Sequence, residues 1–272
     1  MILKRLTSAN EYMDFVNRIN SIPNFSEPML SSEEQIRCNL LDVPNKPKHQ
    51  IWGIFEKEEI VGLFVFLVLE DEAYIEMLVG LSCVLKAYEE MLAFLKEKYK
   101  GYQVDFVYNP HNHLLHNLLQ NEHAEFEAEQ QKMLLKEAVS YKSNHQIELY
   151  SPKYKEEYIS IHSNGGYWTA DKVIDASDRF RIFLAIENNE VVGYTDVTYK
   201  YDENEPYDIF VKEEYRNKGY GKAMLAKAVE LNKPKDMMPL VDVNNSVAVA
   251  LFESLGFAQS VGENSITAHV LL

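Results

Sequence analysis

The chain has 272 residues, a length that suggests two domains, and 46% of them are hydrophobic, which supplies the apolar side chains for buried cores and argues against disorder. Its 42 Asp and Glu against 27 Lys and Arg leave a formal charge of −15, which argues against nucleic acid or an anionic membrane as main partner, since phosphate contacts need clustered cations. Two cysteines, Cys38 and Cys83, form neither a disulfide framework nor a metal-ligand spacing. Together with an N-terminus that lacks the apolar core of a signal peptide, they point to a reducing, cytoplasmic setting.

Leu3 to Leu6 reads as a first strand and Ala9 to Ile19 as a helix with Tyr12, Phe15, Val16 and Ile19 on one face. Pro23, Pro28, Pro44 and Pro47 bracket a loop-rich stretch with one helix candidate, Ser32 to Leu41. Strands follow at Gln50 to Phe55 and Ile60 to Leu69, separated by the charged turn Glu56 to Glu59. The ten-residue run from Ile60 is too short to span a bilayer. Tyr74 to Val79 is a further strand, Leu85 to Tyr99 a helix, Gln103 to Tyr108 a strand and His113 to Gln120 a short helix. His111, His113, His116 and His123 crowd together here, but no carboxylate or thiol completes a metal set in helical register, and Asn-Pro-His-Asn is turn chemistry before a helix. No metal is expected.

The second half repeats this order. Its elements are Gln146 to Tyr150, Arg181 to Glu187, Val191 to Tyr199, Tyr207 to Val211, Lys222 to Leu231, Leu240 to Val243 and Ser246 to Leu255. Glu59-Ile-Val-Gly62 echoes Glu190-Val-Val-Gly193, Met91-Leu92 echoes Met224-Leu225, and Asn112-x-x-Leu115 echoes Asn245-x-x-Ala248, all at a nearly constant offset. The expectation is two copies of one fold, residues 1–142 and 143–272, joined in the polar stretch Glu137 to His145.

Val211 to Leu225 carries the chemistry. A strand ends, a basic, glycine-bearing turn follows, and Tyr220 onward has helical spacing. Gly219 and Gly221 let a ligand approach the backbone, first-turn N–H groups lack intrahelical partners, and Arg216, Lys218 and Lys222 add positive charge, so the turn reads as a phosphate cradle. Neither a dinucleotide fingerprint nor a Walker loop fits these glycines. Arg216-Asn-Lys-Gly219-Tyr-Gly221 does fit R-x-x-G-x-G, and Asn245-Ser-Val-Ala248-Val-Ala-Leu251-Phe252-Glu-Ser-Leu-Gly256-Phe257 follows, close to N-x-x-A-x-x-L-Y-x-x-x-G-F. In these two blocks the C-terminal half resembles the GNAT superfamily of acyl-CoA-dependent N-acyltransferases.

The resemblance implies an α/β fold of α+β type, with two tandem GNAT-like domains, each a mixed, mostly antiparallel central sheet flanked by helices. It implies acetyl-CoA as cosubstrate, its diphosphate held by Arg216, Asn217, Lys218, Gly219, Tyr220, Gly221 and Lys222. It further implies that the pantetheine arm lies along Ile209, Phe210 and Val211, with Asn245 and Phe252 beside it. Under the repeat alignment Cys83, Lys86 and Tyr88 stand where Arg216, Gly219 and Gly221 do, so the N-terminal copy has lost the cradle and reads as degenerate. The acceptor is an amine, either a small molecule or a peptide amino group, and the protein a monomer or homodimer. Whether a base is needed depends on that amine, since alkylamines are protonated at pH 7 and α-amino groups much less so. Asp208 is the base candidate, against the alternative of a solvent-facing carboxylate, and Asp196 is a lesser one. Phe252 departs from the family, where a tyrosine can protonate the leaving thiolate; water or Tyr215 is the substitute, and a non-catalytic acyl-CoA-binding protein is the alternative function.

Overall fold

Two tight turns at equivalent places frame the two halves. Lys57 and Glu58 have φ of 48° and 74°, Asn188 and Asn189 of 50° and 65°. Consecutive positive φ values make hairpin turns whose twist matches that of the flanking strands, and the two turns are separated by the same offset as the glycine echo. The computed structural model describes residues 1–164 and 167–272.

The chain forms two compact units, one of Met1–Gln130 with Val261–Leu272, the other of Gln131–Ser260. The first holds β1 (Ile2–Leu6), β2 (His49–Glu56), β3 (Glu59–Leu69), β4 (Tyr74–Leu81), β5 (Gln103–Tyr108) and β6 (Glu125–Phe126). The chain's C-terminal strand, Ile266–Leu271, lies between β5 and β6, antiparallel to both. β1 to β4 are antiparallel neighbours and β4 pairs β5 in parallel. Helices α2 (Leu85–Lys98) and α3 (His113–Asn121) bury Tyr88, Met91, Leu92, Leu95, Leu115 and Leu119 against one face. Helix α1 (Met13–Asn20) and the helical segment around Leu40 close the other.

In the second unit β12 (Pro206–Val211), β10 (Glu190–Thr198), β9 (Phe180–Glu187) and β8 (Gln146–Leu149) form an antiparallel sheet in that order. A separate sheet places β7 (Gln130–Leu135) between β14 (Leu240–Asp242) and β15 (Phe257–Gln259), and β11 (Glu203–Asn204) pairs β13 (Asp236–Met237) in parallel. Helices α4 (Lys155–Ile161) and α5 (Ala170–Asp175) pack on one face, while α6 (Tyr220–Asn232) and α7 (Ser246–Glu253) bury Leu225, Val229 and Phe252 with Met133 and Phe257.

The expected cut at residue 142 is therefore displaced. The strand that follows the first copy's helices, β7, completes the second unit, and the strand that ends the second copy completes the first. Polar composition marks Glu137 to His145 as a connection, but a strand's partner is chosen by long-range pairing that composition does not encode. The repeat also has local echoes: Asn112 Oδ1 accepts from the Leu115 N–H at 3.2 Å, and Asn245 Oδ1 from the Ala248 N–H at 3.0 Å. Each asparagine caps its helix.

In the first unit β4 pairs β5 only as far as Met77, then runs on to Leu81. Its free edge is filled from within. Glu27 Oε2 accepts from the Gly80 N–H at 2.8 Å, and the Tyr88 hydroxyl lies 3.0 and 2.9 Å from the Gly80 and Ser82 carbonyls while accepting from Asn112 Nδ2. Burial pushes the Glu27 carboxyl up to about 8 against the opposing backbone hydrogen bonds. The native state therefore holds a proton that the unfolded chain releases above its ordinary value of 4.5, so stability falls as pH rises from there through about 8. Replacing Glu27 with Gln removes this slope, at most about 1.4 kcal/mol per pH unit. Thermal unfolding is expected to show the melting temperature of Glu27→Gln rising relative to the parent between pH 5 and 8.5; a constant difference excludes the buried protonated carboxyl.

Candidate active site

Strand β12 is the edge of its sheet. The Lys212 N–H bonds the Val192 carbonyl and the Asp208 carbonyl accepts from Thr195 Oγ1, so the even-numbered residues direct their backbone groups toward β10. Alternation then turns those of Ile209 and Val211 to the open edge. Arg216 Nε, donating to the Val211 carbonyl at 3.0 Å, lies on that side. The equivalent edge of the first unit is the one filled by Glu27 and Tyr88.

Beyond β12 the chain makes a turn at Glu213–Tyr215, extends at Arg216 and enters α6 through Gly219 at φ +91°. That left-handed conformation favours glycine. Ala223 N–H to Gly219 carbonyl, at 2.9 Å, is the first bond of the helix. The N–H groups of Gly219, Tyr220, Gly221 and Lys222 meet no acceptor among the described residues. They are the four orphan donors of a helix start and carry its partial positive charge. The Arg216 guanidinium lies 5.9 Å from the Phe210 ring, Lys218 Nζ 5.4 Å from that of Tyr215 and Lys222 Nζ 4.9 Å from that of Tyr141. Free donors, a glycine-determined entry and three nearby cations fit a diphosphate. The side chain of Tyr220 points elsewhere. Its hydroxyl donates to Glu187 at 2.7 Å, and that bond, with burial, pushes it up to about 12.

On the opposite face of the same strand lies a polar cluster. Asp208 and Asp196 are cross-strand partners, so their side chains share a face. Asp196 is 0% exposed; both its oxygens receive the Tyr158 hydroxyl at 2.9 Å, and His162 Nε2 donates to Oδ2 at 3.0 Å. His162 Nδ1 lies 3.0 Å from the Asn164 backbone nitrogen and 3.1 Å from Asn164 Oδ1. Burial raises Asp196 above the usual carboxylate range despite its donors. For His162 burial acts downward, yet the Asp196 bond and the charges of Asp196 and Asp208 outweigh it and raise the imidazole. Tyr194 donates to Asp208 Oδ2 at 2.6 Å, Ser163 Oγ donates to the same oxygen at 2.9 Å, and burial followed by the Asp208 bond raises the Tyr194 phenol. Asp208 Oδ1 has no partner among the described residues, and the side chain is partly exposed. Ligand atoms of His162, Asp196 and Asp208 lie within 4.8 Å of one another, so the group can take up a cation, an ammonium included.

The sequence of residues 178–259 matches the family described as acetyltransferase (GNAT) domain. That segment is a GNAT domain. It contains β9 to β12, the cradle and both carboxylates. Solved structures extend the likeness of fold to the whole chain. A GCN5-related N-acetyltransferase from Sphaerobacter thermophilus superposes with a TM-score of 0.67 at 10% identity, covering 99% of this chain and 95% of that one. A functionally unknown conserved protein from Staphylococcus epidermidis gives 0.62 at 15% identity, over 80% and 93%. A tandem GNAT protein from the clavulanic acid biosynthesis pathway gives 0.56 at 11% identity, over 99% and 98%. No curated protein sequence matches the chain.

Within the GNAT domain the structure joins the cradle and Asp208 through one strand, three residues and about 10 Å from Asp208 to Val211. Phe252 lies on α7, whose Leu251 side chain is 3.6 Å from the position a Cβ on Gly221 would take. The Asn245 side chain is a helix cap. Phe252 is 3% exposed, with its ring 5.3 Å from that of Phe257 in a T-shaped contact, in the cluster that also takes in Ile209 and Leu251. Tyr158, His162, Ser163 and Tyr194 are site residues that the sequence does not reveal, and Asp196 is more central than its sequence position suggests. The first three lie on or just after α4, a helix absent from the sequence expectation; the spacing Tyr154, Tyr158, Ile161 is the available signal. Replacing Asp196 with Asn keeps an acceptor for His162 but removes the charge that holds the imidazole up, so burial gains weight and the His162 pKa falls. A pH titration of the His162 ring signals by NMR reads this shift, and an unmoved midpoint contradicts the pairing.

Proposed function

We propose that the chain is a coenzyme A-dependent N-acyltransferase, acetyl-CoA being the expected donor, which works by direct attack of an amine in a ternary complex. The observation that carries this reading is the single strand β12, with free helix-start donors just beyond one end and a carboxylate with an unengaged oxygen near its middle. Arg216 to Lys222 are assigned to the diphosphate. The outward backbone groups of Ile209 and Val211 are assigned to the extended arm, which adds to the open edge as another strand does. When bound, acetyl-CoA supplies an acyl thioester. The chain supplies the position beside it and a charge environment for the amine.

Asp208 is the group an incoming ammonium meets, because Tyr194 and Ser163 take one oxygen and leave the other open. An alkylammonium must lose a proton before attack. Asp208 receives it, and the buried Asp196–His162 pair, its proton-binding affinity raised by its surroundings, is the adjacent group that can take up the charge. The acidic surroundings favour a cationic acceptor over a neutral one, which fits a small-molecule amine or a peptide amino group. In the first unit the corresponding edge is occupied by Glu27 and Tyr88, so one coenzyme per chain is assigned, to the second unit.

A second reading, a non-catalytic acyl-CoA-binding protein, draws on Phe252, which places no phenol where GNAT relatives often use one. Measured release of free thiol with any amine of a panel eliminates it. Calorimetry is expected to give one coenzyme A per chain. Gly221→Asp, which adds a negative charge to the cradle, abolishes binding, while Gly221→Ala, whose Cβ meets only ordinary contacts at 3.6 Å, folds normally and serves as control. Two coenzymes per chain, or unchanged affinity in Gly221→Asp, rejects the assignment. Asp208→Asn is expected to lower kcat by about 100-fold or more while leaving coenzyme affinity unchanged; wild-type turnover with any amine that is mostly protonated at the assay pH removes Asp208 from the mechanism.

A further inference from the structure

The segment from Lys136 to His145, by composition a simple join, is fastened at both ends within the second unit. At one end the N–H groups of Lys136 and Val139 bond the carbonyls of Gly256 and Leu255 at 3.0 and 3.1 Å, just past α7. The fit leaves no space for a side chain: a Cβ on Gly256, at φ +95°, would lie 1.7 Å from the Glu137 carbonyl oxygen. At the other end the segment reaches the cradle. His145 Nε2 lies 2.8 Å from the Lys218 carbonyl and donates to it, and the His145 ring rests on that of Tyr220 with centroids 3.9 Å apart.

Tyr141 lies between these anchors. Its ring packs against the cluster that contains Leu225 and Phe252, and Lys222 Nζ stands over it at 4.9 Å. Its hydroxyl comes within 3.1 Å of the position a Cβ on Gly219 would take. That oxygen has no hydrogen-bond partner among the described residues, and it stands beside Gly219, where the run of unengaged helix-start N–H groups begins.

We propose that this segment is a strap belonging to the coenzyme site. Tyr141 donates its O–H to the diphosphate, and His145 is a positioning residue that holds the Lys218 carbonyl back so that the following N–H groups stay turned to the ligand. The inference rests on the coenzyme reading of the cradle above. Its consequence is that coenzyme recognition uses residues outside the glycine loop, from the stretch that links the two copies.

The test is calorimetry on the full chain with coenzyme A, and with pantetheine, which lacks the diphosphate. Tyr141→Phe keeps the ring and the Lys222 contact and removes only the hydroxyl; affinity for coenzyme A is expected to fall about five- to tenfold, and that for pantetheine to stay the same. His145→Ala is expected to weaken coenzyme A likewise, and His145→Gln, which can still donate to the Lys218 carbonyl, to restore it. Circular dichroism confirms that each variant is folded. If the parent chain binds coenzyme A but Tyr141→Phe binds it equally well or more tightly, the strap proposal is overturned while the cradle stands. If the two ligands weaken together, the hydroxyl does not act on the diphosphate. If the parent chain binds no coenzyme A, the cradle reading fails and the strap proposal with it.

Discussion

An unpaired sheet edge is the constraint on which the second unit depends. A β-strand at an edge exposes a row of backbone donors and acceptors that must find water, another strand or a ligand. β12 has β10 on one side, and β14, which follows α6 in the chain, sits in a different sheet. The strand thus keeps Ile209 and Val211 available along one side, and its continuation into α6 keeps four helix-start N–H groups available at its end. Both sets of groups follow from ordinary backbone geometry. Side chains are needed to leave them open and to place charges nearby.

The first unit solves the same problem in the opposite way. Its β4 continues past its pairing with β5, and the backbone groups there are satisfied by Glu27 and Tyr88. Under the repeat alignment Tyr88 stands where Gly221 does, and its phenol fills the edge of β4 by bonding the Gly80 and Ser82 carbonyls. Asn112 holds that phenol while capping α3, so one residue serves both the local helix and the filled edge. The repeat is thus a fold duplicated with two ways of dealing with the same exposed backbone.

The polar cluster around Asp196 has a cost that explains its connectivity. Burying a carboxylate without partners is strongly unfavourable, and here the Tyr158, His162, Tyr194 and Ser163 donors satisfy the Asp196–Asp208 pair with only one oxygen to spare. Stacking adds rigidity: His162 lies 5.0 Å from Tyr194 at 14°, and Tyr158 meets both rings edge-on. The aromatic surround holds the donors in place, leaving Asp208 Oδ1 as the carboxylate oxygen of the cluster that meets no donor among the described residues.

The sequence by itself determined the repeat, the hairpin positions, the echoed asparagines before two helices and the strand–turn–helix order around Gly219. Each depends on residues close in the chain: asparagine reaches an N–H three residues on, a glycine adopts the left-handed entry, and apolar spacing selects strand or helix. The displacement of β7 and the C-terminal strand into units other than those expected was decided by tertiary structure, because strand pairing joins distant segments whose composition does not name their partners. The same applies to the site. Asp208 is visible on its strand, but Tyr158 and His162 are 38 and 34 residues from Asp196 in the chain, and only the packing of α4 on the sheet brings them to it. Phe252 is equally visible in its motif and its place beside the ligand rests on resemblance, whereas the packing of its ring against Phe257 is a tertiary contact.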